Sequence, residues 1–315
     1  MLRQAVAGWR RLRLAARARL APAEVRRLVV MLQNGCALRC RMCDLWLEEP
    51  RRLPREGVLE LLRSPALAPT ASVSWTGGEP FLYPGFASLY AEARALRPAA
   101  NMDISTSGVP ADAVLRFLET ADARKLTLVF SYDGAGTHDR QRGKPGAEQE
   151  LLELVAKIKG PRVALRMTLT PENAGAVLPT FEKTRALGVE LWLQEAHFLP
   201  EYTNSVRQQR FALPVGLERD LESVFARLSL SRERAELGHL DALLRRLRGE
   251  AAGAVCPVPT QSAFVRADGA LLTCRGAKPV GNVLQGGLEA AWRSAEACAL
   301  RRSGCGRCEP RYSEF

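Results

Sequence analysis

Three cysteines, Cys36, Cys40 and Cys43, fall within eight residues of one another. Directly before them runs the apolar stretch Leu28-Val29-Val30-Met31-Leu32, which ends at Asn34-Gly35. A run of that length closed by a turn signal reads as a buried strand leading into a loop. The thiols are therefore expected at the C-terminal end of a strand, the edge where barrels and open α/β sheets build their chemistry. Thiolates are the ligands of iron–sulfur clusters, normally four to a cubane. Three close thiols without a nearby fourth leave one iron open to a substrate or cofactor. Structural zinc favours Cys pairs matched by a second pair or by histidines, and neither lies nearby in the sequence. Three unrelated buried thiols are the remaining alternative.

The spacing Cys-x3-Cys-x2-Cys resembles the signature of the radical S-adenosylmethionine (SAM) superfamily. The resemblance implies a [4Fe–4S] cluster on Cys36, Cys40 and Cys43, with SAM chelating the fourth iron. One-electron cleavage of SAM would then give methionine and a radical that abstracts hydrogen from a substrate. Met42 stands where the family usually has an aromatic residue, and a polarizable thioether can pack against adenine in its place. Further on, Gly77-Gly78-Glu79 resembles the family segment that receives the SAM amino group. The strand ending in Ser105-Thr106-Ser107-Gly108 resembles the strand that turns beside the cofactor, with Ser107 in place of asparagine. Ser131-Tyr132-Asp133-Gly134, with His138-Asp139 and Arg142-Gly143, resembles a stretch shared by molybdenum-cofactor, peptide-maturation and heme-related members. By that likeness Met42, Gly77, Gly78, Glu79, Ser105, Ser131 and Arg142 are expected at the cofactor. Arg142 is the expected carboxylate partner because a guanidinium meets a carboxylate bidentately. His138 reads better as a loop histidine bonded to local backbone.

Taken in order, the chain alternates strands and helices. Strands are expected near residues 28–32, 71–76, 101–106, 126–131, 162–170 and 189–195. Helices are expected over 53–63, 83–96, 111–121, 148–159 and 177–187. Such alternation implies parallel pairing with right-handed crossovers. The fold class expected is α/β: an open partial (β/α)6 barrel with a small Cys-rich C-terminal β-hairpin and helix module. The domains expected are a basic helical segment at 1–26, the barrel at 27–198, a bridging loop and helices at 199–250, and an auxiliary-cluster domain at 251–315. A lid or substrate loop is expected within 199–214.

The last 65 residues hold five of the eight cysteines. Phe264 to Thr273 reads as a hairpin turning at Asp268-Gly269, which would bring Cys256 and Cys274 together. Cys305 and Cys308 form a second pair. The pattern, with Gly281-Asn282-Val283 and Trp292, resembles the auxiliary-cluster module of radical SAM enzymes, called SPASM in full form and twitch when shortened. Five cysteines favour the shortened form, with one auxiliary [4Fe–4S] cluster on Cys256, Cys274, Cys305 and Cys308. A structural zinc site with the same four ligands is the alternative. Cys298 is left over, either as an inert buried thiol or as a hydrogen-atom donor to a substrate radical.

Formal net charge is +11 with a pI near 9.6, a balance that attracts anions and acidic partners. No nucleic-acid motif accompanies it, so a solvated basic surface is the preferred reading. No apolar run reaches the length of a membrane span, and clustered cysteines without an export signal suit a reducing cytoplasm. The expected function is a radical SAM enzyme acting on a small polar molecule such as a sugar or aminocyclitol alcohol. An oxidation or redox-neutral rearrangement is expected, with a flavodoxin- or ferredoxin-type electron donor. The rival within the family is maturation of a ribosomally made peptide. Outside it stands a non-catalytic iron–sulfur or zinc protein that contacts nucleic acid.

Overall fold

The computed structural model describes residues 24–196, 217–229, 244, 248, 261–273 and 278–303. Its centre is one nine-stranded sheet. Six strands, β1 (Val25–Met31), β2 (Leu67–Thr76), β3 (Met102–Thr106), β4 (Leu126–Ser131), β5 (Arg162–Leu169) and β6 (Glu190–Glu195), run parallel in sequence order. On the far side of β1 the sheet continues into β7 (Ser262–Val265), β8 (Ala270–Leu272) and β9 (Gly281–Asn282). β1 thus pairs with β2 on one edge and with β7 on the other, both in parallel. Leu28 to Leu32 is buried throughout, as a central strand covered on both faces should be. The sheet does not close, which leaves an open barrel.

The outer face of the sheet carries the main core. Leu28, Val30, Val73, Trp75, Ile104, Leu128, Phe130 and Leu165 project from it into the helix layer. Helix α1 (Arg55–Arg63) answers with Val58, Leu59, Leu61 and Leu62, a spacing that keeps one helical face apolar. Its Glu56 sits in the first turn and its Arg63 in the last, each at the favourable end of the helix dipole. α2 (Phe86–Leu96) and α3 (Ala111–Thr120) meet through aromatic contacts among Phe81, Phe86, Tyr90 and Phe117, with centroids 5.0–5.6 Å apart. The sheet's inner face is different, because Ser72, Ser74, Ser105, Ser131 and Arg166 alternate there with its few apolar residues.

One helix of the barrel went unread in the sequence. α4 (His138–Arg142) is a short helix inside the segment expected to be loop, ended by Gly143 at φ +67°. α5 (Ala147–Lys157) and α6 (Val177–Ala186) follow as expected, and α7 (Leu217–Ser229) lies within the expected bridging region. The C-terminal hairpin turns at Asp268-Gly269, with Gly269 at φ +82°, and pairs Phe264 with Leu272. It joins the barrel sheet through β7. After it come α8 (Val283–Trp292), capped by the Asn282 side chain accepting from Leu284 N at 2.9 Å, and α9 (Ala295–Ser303). Trp292 is fully buried in the main core. The expected basic helix, the expected lid and the four cysteines Cys256, Cys274, Cys305 and Cys308 lie outside the described residues. No helix among the described residues is long and apolar enough to cross a membrane.

Candidate active site

Beyond the C-terminal ends of β1 to β6 lies a cavity of about 190 Å³. Cys36, Cys40 and Cys43 line it together with Met42, Gly77, Gly78, Ser105, Ser131 and Arg142. Eight of the nine barrel residues expected there, joined by Arg142 from α4, therefore meet on one surface, and Glu79 alone does not. The loop that brings the thiols in is fixed from two sides. Arg41 N donates to Gln141 O at 2.9 Å, which ties the cysteine loop to α4. Gly78 N donates to Gln33 O at 2.7 Å, and Glu79 N to Gly35 O at 2.9 Å, which ties it to the end of β2.

That second contact explains the glycine pair. A Cβ on Gly78 would lie 2.1 Å from Gly35 O and 2.5 Å from Asn34 O, and one on Gly77 would lie 2.3 Å from Gln33 O. The obstacles are backbone atoms and cannot swing aside. Only glycine lets the two loops approach this closely.

Glu79 is fully buried and is not among the residues lining the cavity. Its carboxylate accepts from Thr106 Oγ1 at 2.7 Å, Ser107 N at 2.8 Å, Ser107 Oγ at 2.6 Å and Phe81 N at 3.2 Å. Burial raises its pKa, and the bonds from Ser107 and Thr106 oppose that rise. In the protein the Glu79 carboxylate joins the end of β3 to the glycine turn. Ser107, which replaces the expected asparagine, supplies two of the clamp's donors.

Arg142 is buried and carries two contacts at once. Its Nε lies 2.6 Å from Asp133 Oδ2, and its Nη1 lies 3.6 Å from Cys40 Sγ. The two form a buried ion pair, with both side chains closed to solvent. Burial raises the Asp133 pKa while the arginine and the Thr168 N–H lower it. His138 behaves as expected: buried, with Nδ1 accepting from Asp133 N at 3.1 Å. Burial pushes its pKa down to about 3, helped by the Arg142 charge.

Thr106 and Ser107, from the strand end expected beside the cofactor, also line the cavity, and Thr168, Gln194 and above all Arg166 join them unforeseen from the sequence. Arg166 Nη1 donates to Ser105 Oγ at 3.1 Å, and Gln194 Nε2 donates to Thr168 Oγ1 at 3.0 Å. The signal was present in β5, where Arg162, Arg166 and Thr168 put polar side chains on one alternation of a strand whose other residues are apolar. Cys298 does not line the cavity. It sits on α9, with its sulfur 3.2 Å from Arg301 Nη2 and 3.6 Å from Arg293 O.

Residues 30–183 match the radical SAM superfamily, and residues 256–309 match the SPASM iron–sulfur cluster-binding domain. The chain therefore carries a radical SAM domain followed by a SPASM domain. Its cofactors are accordingly a [4Fe–4S] cluster and SAM, with auxiliary iron–sulfur in the SPASM part. Among curated proteins, the sporulation killing factor maturation protein SkfB of Bacillus subtilis is 27% identical over 165 residues, which is 50% of this chain and 39% of SkfB. The GTP 3′,8-cyclase of Streptomyces coelicolor is 33% identical over 91 residues, 26% of each chain. The chain thus aligns with well under half of either relative. Among solved structures, Streptococcus suis SuiB bound to S-adenosylmethionine superposes with a TM-score of 0.67 at 16% identity, over 89% of this chain and 68% of SuiB. Native anSMEcpe with bound AdoMet and a peptide gives a TM-score of 0.65 at 17% identity, over 91% and 90% of the two chains. These likenesses show the same unclosed α/β fold.

The three thiols fit a radical SAM cluster. Among the described residues no three His, Cys, Asp or Glu side chains converge as on a single ion. A cubane does not demand that convergence, since each thiolate binds its own iron. Burial pushes the Cys36 thiol up to about 11 and the Cys43 thiol up to about 12, and neighbouring thiols add to the rise. Such thiols ionise only against a compensating positive centre, which bound iron provides. The Leu38 N–H, 3.4 Å from Cys36 Sγ, and the Arg142 charge already oppose that rise at Cys36.

Proposed function

We propose that this chain is a radical SAM enzyme that abstracts hydrogen from a small polar substrate, in an oxidation or redox-neutral rearrangement. When bound, the cluster and SAM supply a one-electron cleavage that gives methionine and a hydrogen-abstracting adenosyl radical. Cys36, Cys40 and Cys43 hold the cluster. The backbone of Gly77 and Gly78 meets the SAM amino group, Arg142 and Ser131 take its carboxylate, and Met42 packs on adenine. Glu79 acts one step back, keeping the glycine turn against β3. Cys256, Cys274, Cys305 and Cys308 hold one auxiliary [4Fe–4S] cluster that passes electrons, and a flavodoxin- or ferredoxin-type protein of the cytoplasm supplies them.

The observation that carries a small polar substrate is the inner face of the barrel. Closed (β/α)8 barrels fill that space with layers of Val, Ile and Leu. Here Ser72, Asp103, Thr127 and Gln194 line open space of about 780 Å³ that reaches the residues of the cluster cavity. A second reading, maturation of a ribosomally made peptide, draws its support from the match to SkfB. The test is anaerobic turnover of reconstituted enzyme with sugar or cyclitol candidates and, separately, with peptides encoded beside its gene, followed by mass spectrometry. Mass change in a small molecule coupled to 5′-deoxyadenosine supports the first reading. Change confined to a peptide replaces it with the second.

A further inference from the structure

Consecutive residues at the C-terminal end of α4, Gln141, Arg142 and Gly143, press on the cysteine loop. Gln141 O accepts from Arg41 N at 2.9 Å. Arg142 Nη1 donates toward Cys40 Sγ at 3.6 Å. At Gly143, with φ +67°, a Cβ would stand 2.7 Å from Arg39 O, so glycine is what lets α4 come this close. The guanidinium is also gripped from behind. Asp133 Oδ2 lies 2.6 Å from Arg142 Nε, and Asp133 Oδ1 accepts from Thr168 N at 3.1 Å. Asp133 N donates to His138 Nδ1 at 3.1 Å, so the residue is tied to α4 as well as to β5. Both members of the pair are buried.

What such a cation does beside a cluster ligand follows from its charge. One-electron reduction of a [4Fe–4S] cluster adds one negative charge, and its potential is set by nearby charge and by hydrogen bonds to the sulfurs. A buried, positively charged N–H donor stabilises the added electron, the more so where the dielectric is low. A carboxylate on another nitrogen of the same guanidinium opposes that effect. We propose that Arg142 raises the reduction potential of the cluster on Cys36, Cys40 and Cys43, and that Asp133 is a positioning residue that aims Arg142 at Cys40 and offsets part of its charge. Resting on the proposed assignment of the three thiols to the cluster, this gives the pair opposed effects. Arg142 makes the cluster easier for its electron donor to reduce. Asp133 keeps the potential low enough for the cluster to pass that electron to SAM.

The deciding measurement is the midpoint potential, which a purely structural contact would not move in opposite directions. Full-length protein is reconstituted anaerobically and titrated with dithionite and redox mediators, with SAM left out so that its carboxylate does not intervene. The signal followed is the electron paramagnetic resonance that disappears in the triple Cys→Ala variant of Cys36, Cys40 and Cys43. Asp133→Asn leaves the arginine charge unopposed and should raise the midpoint. Asp133→Asn combined with Arg142→Gln removes the pair at constant net charge and should lower the midpoint below that of the wild type. At the wild-type midpoint, the ratio of reduced to oxidised cluster should fall about tenfold in that double variant, as loss of one charged hydrogen bond implies, or about 59 mV for one electron. Arg142→Lys keeps the charge and should stay closer to the wild type than the double variant does. Should either Asp133 variant fail to hold iron, the other decides. A midpoint unchanged or raised in the double variant, or lowered in Asp133→Asn, overturns the proposal. A wild type with no signal beyond that of the triple variant removes the cluster assignment itself, which is distinct from a cluster present with an unmoved midpoint.

Discussion

Arg142 Nε lies 2.6 Å from Asp133 Oδ2, and the same guanidinium reaches within 3.6 Å of Cys40 Sγ. A residue from α4 thereby connects a buried carboxylate at the end of β4 to one thiol of the cysteine loop. Without Arg142 the Asp133 charge would be buried and uncompensated. Breaking a buried pair by removing one partner typically costs about 3–5 kcal/mol. Arg142→Ala should therefore lower stability by about that amount in urea denaturation of the apoprotein. Adding Asp133→Asn should return much of the loss, and a double variant no more stable than the single one would refute the pairing.

Arg142 also lines the cavity, where the proposed function has it meet the SAM carboxylate. Arg142→Lys keeps the charge but loses the fork, so SAM should bind about tenfold more weakly by calorimetry while iron content holds. Unchanged affinity would confine Arg142 to the Asp133 and Cys40 contacts.

Gly78→Ala tests the packing of the two loops. Its Cβ would meet backbone oxygens at 2.1 and 2.5 Å, a clash no rotamer change relieves. Overpacking costs about 1–3 kcal/mol or more. The variant should lose both SAM binding and part of its N-terminal iron, and wild-type values for both would show that the turn yields easily.

The expected barrel order, the hairpin at Asp268-Gly269 and the convergence of Cys36, Gly78, Ser131 and Arg142 were all legible in the sequence. They rest on local chemistry: apolar runs make strands, Asp-Gly makes a turn, and spaced thiols announce a cluster. What escaped depends on direction in space. Glu79 could not be told from a cavity residue, because only the arrival of Thr106 and Ser107 from β3 shows where its carboxylate turns. Arg166 needed the inner face of the barrel to be known before its place between two cavities meant anything. The parallel pairing of β7 with β1 joins residues more than two hundred positions apart and has no local signal.

His138 gives a pH prediction. Its folded pKa of about 3 lies below its ordinary value near 6.5, chiefly through burial. The unfolded chain therefore binds a proton that the folded chain refuses. Stability attributable to this residue is fully present above about pH 6.5 and is lost as pH falls, by about 1.4 kcal/mol per unit down to the folded pKa. His138→Gln should flatten the slope of unfolding free energy between about pH 6 and 4 by one proton relative to wild type. Parallel slopes in the two proteins would mean that His138 is protonated in the fold.

The central claim is that Cys36, Cys40 and Cys43 carry the SAM-cleaving cluster. The direct measurement is 5′-deoxyadenosine formed under anaerobic reduction by the wild type and by the triple Cys→Ala variant, with iron and zinc quantified in both. The account predicts about eight irons per wild-type chain, about four in the variant, and SAM cleavage in the wild type alone. Undiminished 5′-deoxyadenosine from the triple variant would contradict it.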